Sequence, residues 1–247
     1  MKICAAQICP VKGDIPSNIN RHKRFIERAL SHNADMIIFP ELSLTGYEPQ
    51  LAGTLAATAD DHRLNNFQTI SNNKNIIISV GLPLKAASGI TISMIIFRPQ
   101  QERQIYSKKY IHSDEEKQFT PGDTPGIMHF DKHKIGLAIC YEISVPDHVE
   151  KAAADQADIY LAGVAKSKSG AERAWQRLSK IAAQYKMNIV MSNSIGPCDN
   201  FESAGMSAAW SNNGRLLGWI DDKNEGLLIF DSEKHQAIDI ALEKRTV

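Results

Sequence analysis

Apolar positions along the chain switch between two periods. The opening run Ile3 to Ile8 reads as a strand, and it passes through Gly13 and Pro16 into a stretch where Ile19, His22, Ile26 and Leu30 recur along one helical face, with Ser17 as the expected cap. That helix feeds the apolar run Met36-Ile-Ile-Phe-Pro-Glu41. A second unit follows, in which Asp60 or Asp61 starts a helix through Leu64, Phe67 and Ile70 and leads into a strand from Asn75 to Val80. Two β-α-β units in succession predict strands running side by side in parallel.

The middle of the chain changes character. Thr91 to Phe97, Gln104 to Tyr106 and Ile127 to Phe130 are short, β-rich and separated by turn residues, which predicts hairpins. From Lys134 the alternation returns: a strand to Cys140, a helix after Pro146, and a strand from Ala157 to Ala165. A helix then carries Ala171, Trp175, Leu178, Ile181 and Tyr185 in register, which assigns Trp175 with Leu178, Ile181 and Tyr185 to the core side, followed by a strand from Asn188 to Ile195. Met206 to Trp210 and Arg215 to Ile220 flank Asn212-Asn-Gly214, a hairpin signal. No repeat, low-complexity run or linker divides the chain, so the expectation is one α/β domain over residues 1–247. Buried strands read as apolar runs in any arrangement, so periodicity does not separate one large sheet from two packed sheets; the number of strands favours two.

Composition narrows the function classes. Twenty-eight basic residues balance twenty-eight acidic ones, so no global field recruits nucleic acid or an anionic membrane. The first residues form too short an apolar stretch for a signal sequence or a membrane span. Cys4, Cys9, Cys140 and Cys198 form no CxxC pair and have no His-rich spacing, which predicts neither a zinc site nor a redox dithiol but free thiols in a reducing, cytoplasmic setting.

Three strand ends carry chemistry: Glu41 after Phe39-Pro40, Lys108 after Tyr106-Ser107, and Cys140 after Ile139. Such rims are where α/β sheets place active sites. A free cysteine has a pKa of about 8.5, so a carboxylate that takes its proton would generate the attacking thiolate. Glu41 suits that role; Lys108 and the backbone N–H of Tyr141 suit stabilisation of a tetrahedral intermediate. Each residue alone also reads blandly: Cys140 as a buried packing residue, Glu41 as a loop charge or helix cap, Lys108 and Lys109 as surface lysines. His112, His129, His133 and His148 lie near Cys140 in sequence, but sequence nearness does not place an imidazole against a thiol.

The words around these residues discriminate. In order, Phe39-Pro-Glu41-Leu-Ser-Leu-Thr-Gly46-Tyr47, then Tyr106-Ser-Lys108 with Asp114-Glu115 and Phe119-Thr-Pro-Gly122-Asp123, then Gly136-Leu-Ala-Ile-Cys140-Tyr-Glu resemble the carbon–nitrogen hydrolases of the nitrilase superfamily, in their amidase-like branch. The resemblance runs from Ala5-Ala-Gln7 to the Gly205-Met-Ser207 and Gly214 region.

The resemblance implies a four-layer α-β-β-α sandwich, no metal or organic cofactor, and a homodimer. Its catalytic set maps onto Glu41 as base, Lys108 as the stabilising cation and Cys140 as nucleophile, with Glu115 as a second glutamate supporting the lysine. The reaction implied is hydrolysis of a small linear amide through a cysteine thioester, releasing ammonia or an amine. The same site could open an N-carbamoyl compound or a nitrile, and an idle scaffold or a glutaminase serving a synthetase are further alternatives; no phosphate-binding glycine loop occurs in the chain. Tyr47 and Tyr141 flank catalytic positions and are expected to line the pocket. Ala165 lies in the stretch Ala162-Gly-Val-Ala-Lys-Ser-Lys168, which lacks the proline and aromatic residue common in the family's substrate-facing loop. Lys166 and Lys168 there could attract a carboxylate-bearing substrate, or be solvated loop lysines. Beyond the nucleophile, Glu142, Val145 and Asp147 replace the usual residues conservatively.

Overall fold

The computed structural model describes residues 1–241. In chain order its elements begin with β1 (Lys2–Gln7), α1 (Ile15–Leu30), β2 (Met36–Ile38), α2 (Ala52–Leu55), α3 (Asn65–Lys74), β3 (Ile77–Ala86), β4 (Gly89–Phe97) and β5 (Gln104–Ser107). They continue with β6 (Ile127–Phe130), β7 (His133–Ile139), α4 (Pro146–Ala154), β8 (Ile159–Val164), α5 (Lys168–Tyr185) and β9 (Asn188–Asn193). Six strands close the described chain: β10 (Ile195–Cys198), β11 (Phe201–Ala204), β12 (Ala208–Trp210), β13 (Leu216–Trp219), β14 (Gly226–Asp231) and β15 (Gln236–Ala241).

The strands form two large sheets and one separate hairpin. The first sheet has the order β15-β14-β1-β2-β3-β4-β5, the second the order β13-β12-β9-β8-β7-β6, and β10 pairs with β11 alone. As the β-α-β pattern predicts, β1, β2 and β3 run parallel, and so do β7, β8 and β9. The middle segments pair as antiparallel hairpins.

Strand alternation explains the layering. Ile3 and Ala5 of β1, Met36 and Ile38 of β2, and Ile77 of β3 face Ile135, Leu137, Ile159 and Val190 of the other sheet. The intervening Cys4, Ala6, Ile37 and Ile78 face Phe25 and Ile26 of α1 and Phe67 of α3. On the second sheet, Tyr160, Ala162 and Met191 face Ala152 of α4 and Leu178 and Ala182 of α5. Both faces of the central strands of each sheet are therefore buried, which is why those strands read as unbroken apolar runs, while the edge strand β15 stays largely exposed. The result is the α-β-β-α sandwich.

Several local expectations shift. Asp14, not Ser17, caps α1: its carboxylate accepts the Ser17 N–H at 3.0 Å and the Ser17 hydroxyl at 2.7 Å. Pro16 sits in the first turn, where its missing N–H has no helical partner to lose, so the helix begins before Ser17. The run at Met36 yields only a three-residue strand, because Phe39 onward becomes a loop. Trp175 is half-buried rather than core: its indole N–H donates to the Met206 carbonyl at 2.9 Å, and its ring meets Trp210 and Trp219 edge-on at 6.0 Å. The hairpin β10–β11 and the strands β14 and β15 have no counterpart among the expected elements.

Candidate active site

The loop carrying Glu41 crosses between the ends of the two sheets. Gly81 in β3 and Gly163 in β8 make room for it: a β-carbon at Gly81 would lie 2.6 Å from the Pro40 oxygen and the Leu42 nitrogen, and one at Gly163 would lie 2.9 Å from the Phe39 oxygen. Inside the loop, Leu42 adopts φ 51°, a left-handed conformation that needs support from its surroundings. Helix α1 supplies some of it. His22 lies 3.0 Å from the Ser43 hydroxyl, which in turn accepts the Gly81 N–H at 3.2 Å, and the buried Asn18 amide donates to the Leu44 carbonyl at 3.0 Å. Burial lowers the His22 pKa to about 3, so this ring is a neutral linker and not an acid.

Lys108 follows the end of β5 and is completely buried, whereas Lys109 is exposed. Its backbone is fixed on both sides, by its N–H to Ile92 O and by the Gly122 N–H to its carbonyl, each at 2.8 Å. Its ammonium donates at 2.8 Å to Glu41 Oε1 and at 2.8 Å to both oxygens of Glu115. Glu115 is the buried one of the acids in its turn, with Asp114 and Glu116 exposed. It accepts the His112 N–H at 3.0 Å and the Tyr47 hydroxyl at 2.8 Å.

One ammonium thus serves two buried carboxylates, and the imbalance sets the proton affinities. Burial raises the Glu41 pKa above the ordinary range, with Lys108 pulling against it and Glu115 adding to it. For Lys108 burial alone would lower the pKa, but the charges of Glu41, Cys140 and Glu115 outweigh it and hold the ammonium protonated. The second oxygen of Glu41, Oε2, is buried with no hydrogen-bond partner among the described residues, and the neighbouring Cys140 acts to lower this carboxylate's pKa.

Cys140 sits where β7 turns abruptly into a helical turn, at φ 44°. A left-handed non-glycine residue costs roughly 1–3 kcal/mol and persists only where neighbours enforce it. The residue is half-buried at the surface of a cleft, and its thiol donates to the Ala165 carbonyl at 3.7 Å. Burial, reinforced by the Glu41 charge, pushes the thiol up to about 11, with Lys166 and Lys108 acting in the opposite direction.

The enforcement at Cys140 comes from Glu142, which is fully buried. Its carboxylate accepts the Ile139 N–H at 2.8 Å, the Lys109 N–H at 2.6 Å and the Tyr106 hydroxyl at 2.7 Å. One side chain therefore ties the N–H of the residue before Cys140 to the N–H of the residue after Lys108. Behind it the hydrogen bonds continue from Tyr106 to His148 Nε2 at 2.8 Å and from His148 Nδ1 to Tyr160 at 2.7 Å. Burial lowers the His148 pKa to about 4, and the network assigns the neutral Nε2–H tautomer. His148 is thus committed to the tyrosines and does not pair with the thiol. Sequence reading treated Glu142 as a conservative replacement and missed the clamp; its acid side chain two residues past the cysteine was the available signal.

A cleft of about 490 Å³ opens in front of Cys140. Tyr47, Tyr141 and Ala165 all line it, as do Lys108 and Glu115. Tyr47 packs edge-on against Phe201 at 5.7 Å, and Tyr141 edge-on against His112 at 5.0 Å. Lys166 also lines the cleft, whereas Lys168 turns away to pair with Asp222 at 2.9 Å. Arg173 and Arg177 of α5 line the cleft too, although helical spacing alone gave no reason to single them out. Among the described residues no group of three or more His, Cys, Asp or Glu is placed to hold a metal ion, and no helix is long and apolar enough to cross a membrane.

The family model for carbon-nitrogen hydrolases matches residues 2–239. The chain is 26% identical over 222 residues to a glutamine-dependent NAD(+) synthetase of Acinetobacter baylyi; the match takes in 87% of this chain but only 41% of that larger protein. It is 23% identical to a protein of Schizosaccharomyces pombe named as a probable nitrilase, covering 92% of this chain and 87% of the other. Among solved structures it is similar to the NitN amidase of Nesterenkonia sp. AN1, with a TM-score of 0.84 at 24% identity, covering 94% of this chain and 92% of that one. A variant of that amidase carries acrylamide added at its active-site cysteine.

Proposed function

The chain belongs to the carbon-nitrogen hydrolase family, and from that premise we propose that it hydrolyses small linear amides through a thioester on Cys140, with Glu41 as the base. The observation that carries this reading is the juxtaposition of a raised carboxylate, a buried ammonium and a strained cysteine at one cleft. The modification of an active-site cysteine in a similarly folded amidase agrees with it.

In this mechanism Glu41 takes the Cys140 thiol proton as the sulfur attacks the amide carbon. Lys108 and the Tyr141 N–H stabilise the oxygen that becomes negative. The carbon–nitrogen bond breaks as Glu41 returns the proton to the departing ammonia or amine. Water, deprotonated by Glu41, then attacks the thioester, and the sulfur leaves and regains its proton. Glu115 and Tyr47 hold the Lys108 ammonium in place. The homodimer, which rests on the family resemblance, and the cytoplasmic setting, which rests on the four free cysteines, are part of the same proposal.

Acid quenching during turnover of a short-chain amide or ester, followed by peptide mass analysis, tests the intermediate. The expected result is a single acyl group on the peptide containing Cys140. Ammonia release with acylation elsewhere, or with none under conditions that trap thioesters, overturns the reading.

Glu142 enters as a positioning residue. In Glu142→Gln an amide N–H₂ meets donors that had a carboxylate, so the two strand ends should loosen. The expected loss is about 10- to 100-fold in kcat with KM nearly unchanged, since small displacements of reacting groups cost rates of this order. Glu142→Asp should recover part of it. Kinetics of the two variants check this; a change confined to KM would count against the clamp.

A second reading is favoured by one observation, the match to part of a glutamine-dependent synthetase. There the ammonia would pass to a partner enzyme. Glutamine turned over faster than linear amides would select that alternative.

A further inference from the structure

The charged groups lining the cleft do not balance. The charge of Lys108 is matched by Glu41 and Glu115, and His112 pairs with Asp114 at 2.5 Å. Lys166, Arg173 and Arg177 also line the cleft, and among the described residues none of the three lies within ion-pairing distance of a carboxylate. The chain as a whole is neutral, so this local excess is not a by-product of overall charge.

Lys166 is placed with care. Its N–H donates to Asn193 Oδ1 at 2.8 Å, and its carbonyl accepts from Asn193 Nδ2 at 3.1 Å, Ser203 Oγ at 3.1 Å and the Ala204 N–H at 2.9 Å. It directly follows Ala165, whose carbonyl takes the Cys140 thiol. Arg173 and Arg177 stand four residues apart on α5, so they share a helix face and repel each other unless an anion lies between them. Ser167 and Gly170 line the cleft as well, which brings the positive end of this eighteen-residue helix to the same wall. The cleft volume is that of a site for a whole small metabolite, larger than a carboxamide needs.

We propose that the substrate's acyl chain ends in a carboxylate, bound by Lys166, Arg173 and Arg177 while its amide carbon rests at Cys140. This rests on the amide-hydrolase reading above. It also separates two lysines that the sequence left equivalent: Lys166 faces substrate, and Lys168 is held by Asp222. Guanidinium groups suit a carboxylate because their donors match its two oxygens.

The test compares kcat/KM for the monoamide of pentanedioic acid with those for pentanamide and 5-aminopentanamide near neutral pH. Wild type is expected to prefer the carboxylate over the uncharged amide by about tenfold or more, a preference that shrinks as salt rises. In Arg173→Gln/Arg177→Gln the ratio should approach one, and in Arg173→Glu/Arg177→Glu it should invert toward the amino amide. Lys168→Gln should leave the ratio as in wild type. If pentanamide is hydrolysed in a Cys140-dependent manner but the carboxylate is not preferred, the tail proposal fails and the amidase reading survives. If a preference exists but is unmoved in both arginine variants and in Lys166→Met, these residues do not read the tail. If none of the amides is hydrolysed in a Cys140-dependent manner, both readings fall together.

Discussion

Cys140→Ala is expected to lower amide hydrolysis by about four to six orders of magnitude, the loss typical of removing the nucleophile from a covalent mechanism. Three other groups in the cleft are poor substitutes for it. Lys108 is locked between two carboxylates, Tyr47 donates its proton to Glu115, and Ser144 stands in the cleft with no base assigned to it. Cys140→Ser should fare little better, because a hydroxyl holds its proton more tightly than the thiol it replaces while Glu41 is tuned to the thiol. Neither variant should unfold the protein: the sulfur makes one weak hydrogen bond, to Ala165, and the strained backbone is held by Glu142. Ammonia release and a melting curve for each variant check this. Full activity with a normal melting point would remove Cys140 from the mechanism.

The chemistry was more legible than its support. Glu41, Lys108 and Cys140 lie at three strand ends, and strand ends can be read from where apolar runs break, at Pro40, Ser107 and Cys140. What period cannot reveal is which ends meet. That depends on β2 and β5 lying in one sheet and β7 in the other, a pairing between residues far apart in sequence. The same limit hid β14, whose partner is β1 at the opposite end of the chain. Helical period assigned Leu178 and Ile181 of α5 to the core, which the structure matches, but it could not say that the edge carrying Arg173 and Arg177 looks into a cleft. Lys166 and Lys168 are adjacent in pattern and opposite in surroundings because the start of α5 falls between them. What the Glu142 acid holds was hidden for a different reason: its partners are mostly backbone N–H groups, which carry no sequence identity.

Lys108→Met is expected to be the most destabilising of these substitutions, as well as inactive. The ammonium is fully enclosed and neutralises two carboxylates that are themselves buried. Removing one partner of a buried ion pair costs about 3–5 kcal/mol, because the charge left behind has neither water nor a counter-ion. In a chain of this size that corresponds to a melting point lower by roughly 6–20 °C. The deficit should depend on pH in a definite direction. Burial already raises the Glu41 carboxyl, and Lys108 is the main force opposing it, so the variant's carboxyl rises further. A carboxyl whose folded pKa exceeds its unfolded value of about 4.3 favours the fold at low pH and loses that contribution as pH climbs through the folded value. The gap between wild type and Lys108→Met should therefore be smaller near pH 5 than near pH 8. Adding Glu115→Gln to Lys108→Met removes one orphaned charge and should recover part of the loss at the higher pH. Melting curves of the three proteins at both pH values decide the matter: a deficit equal at both, and untouched by the second substitution, would mean that packing around the lysine stem, not its charge, holds this corner together.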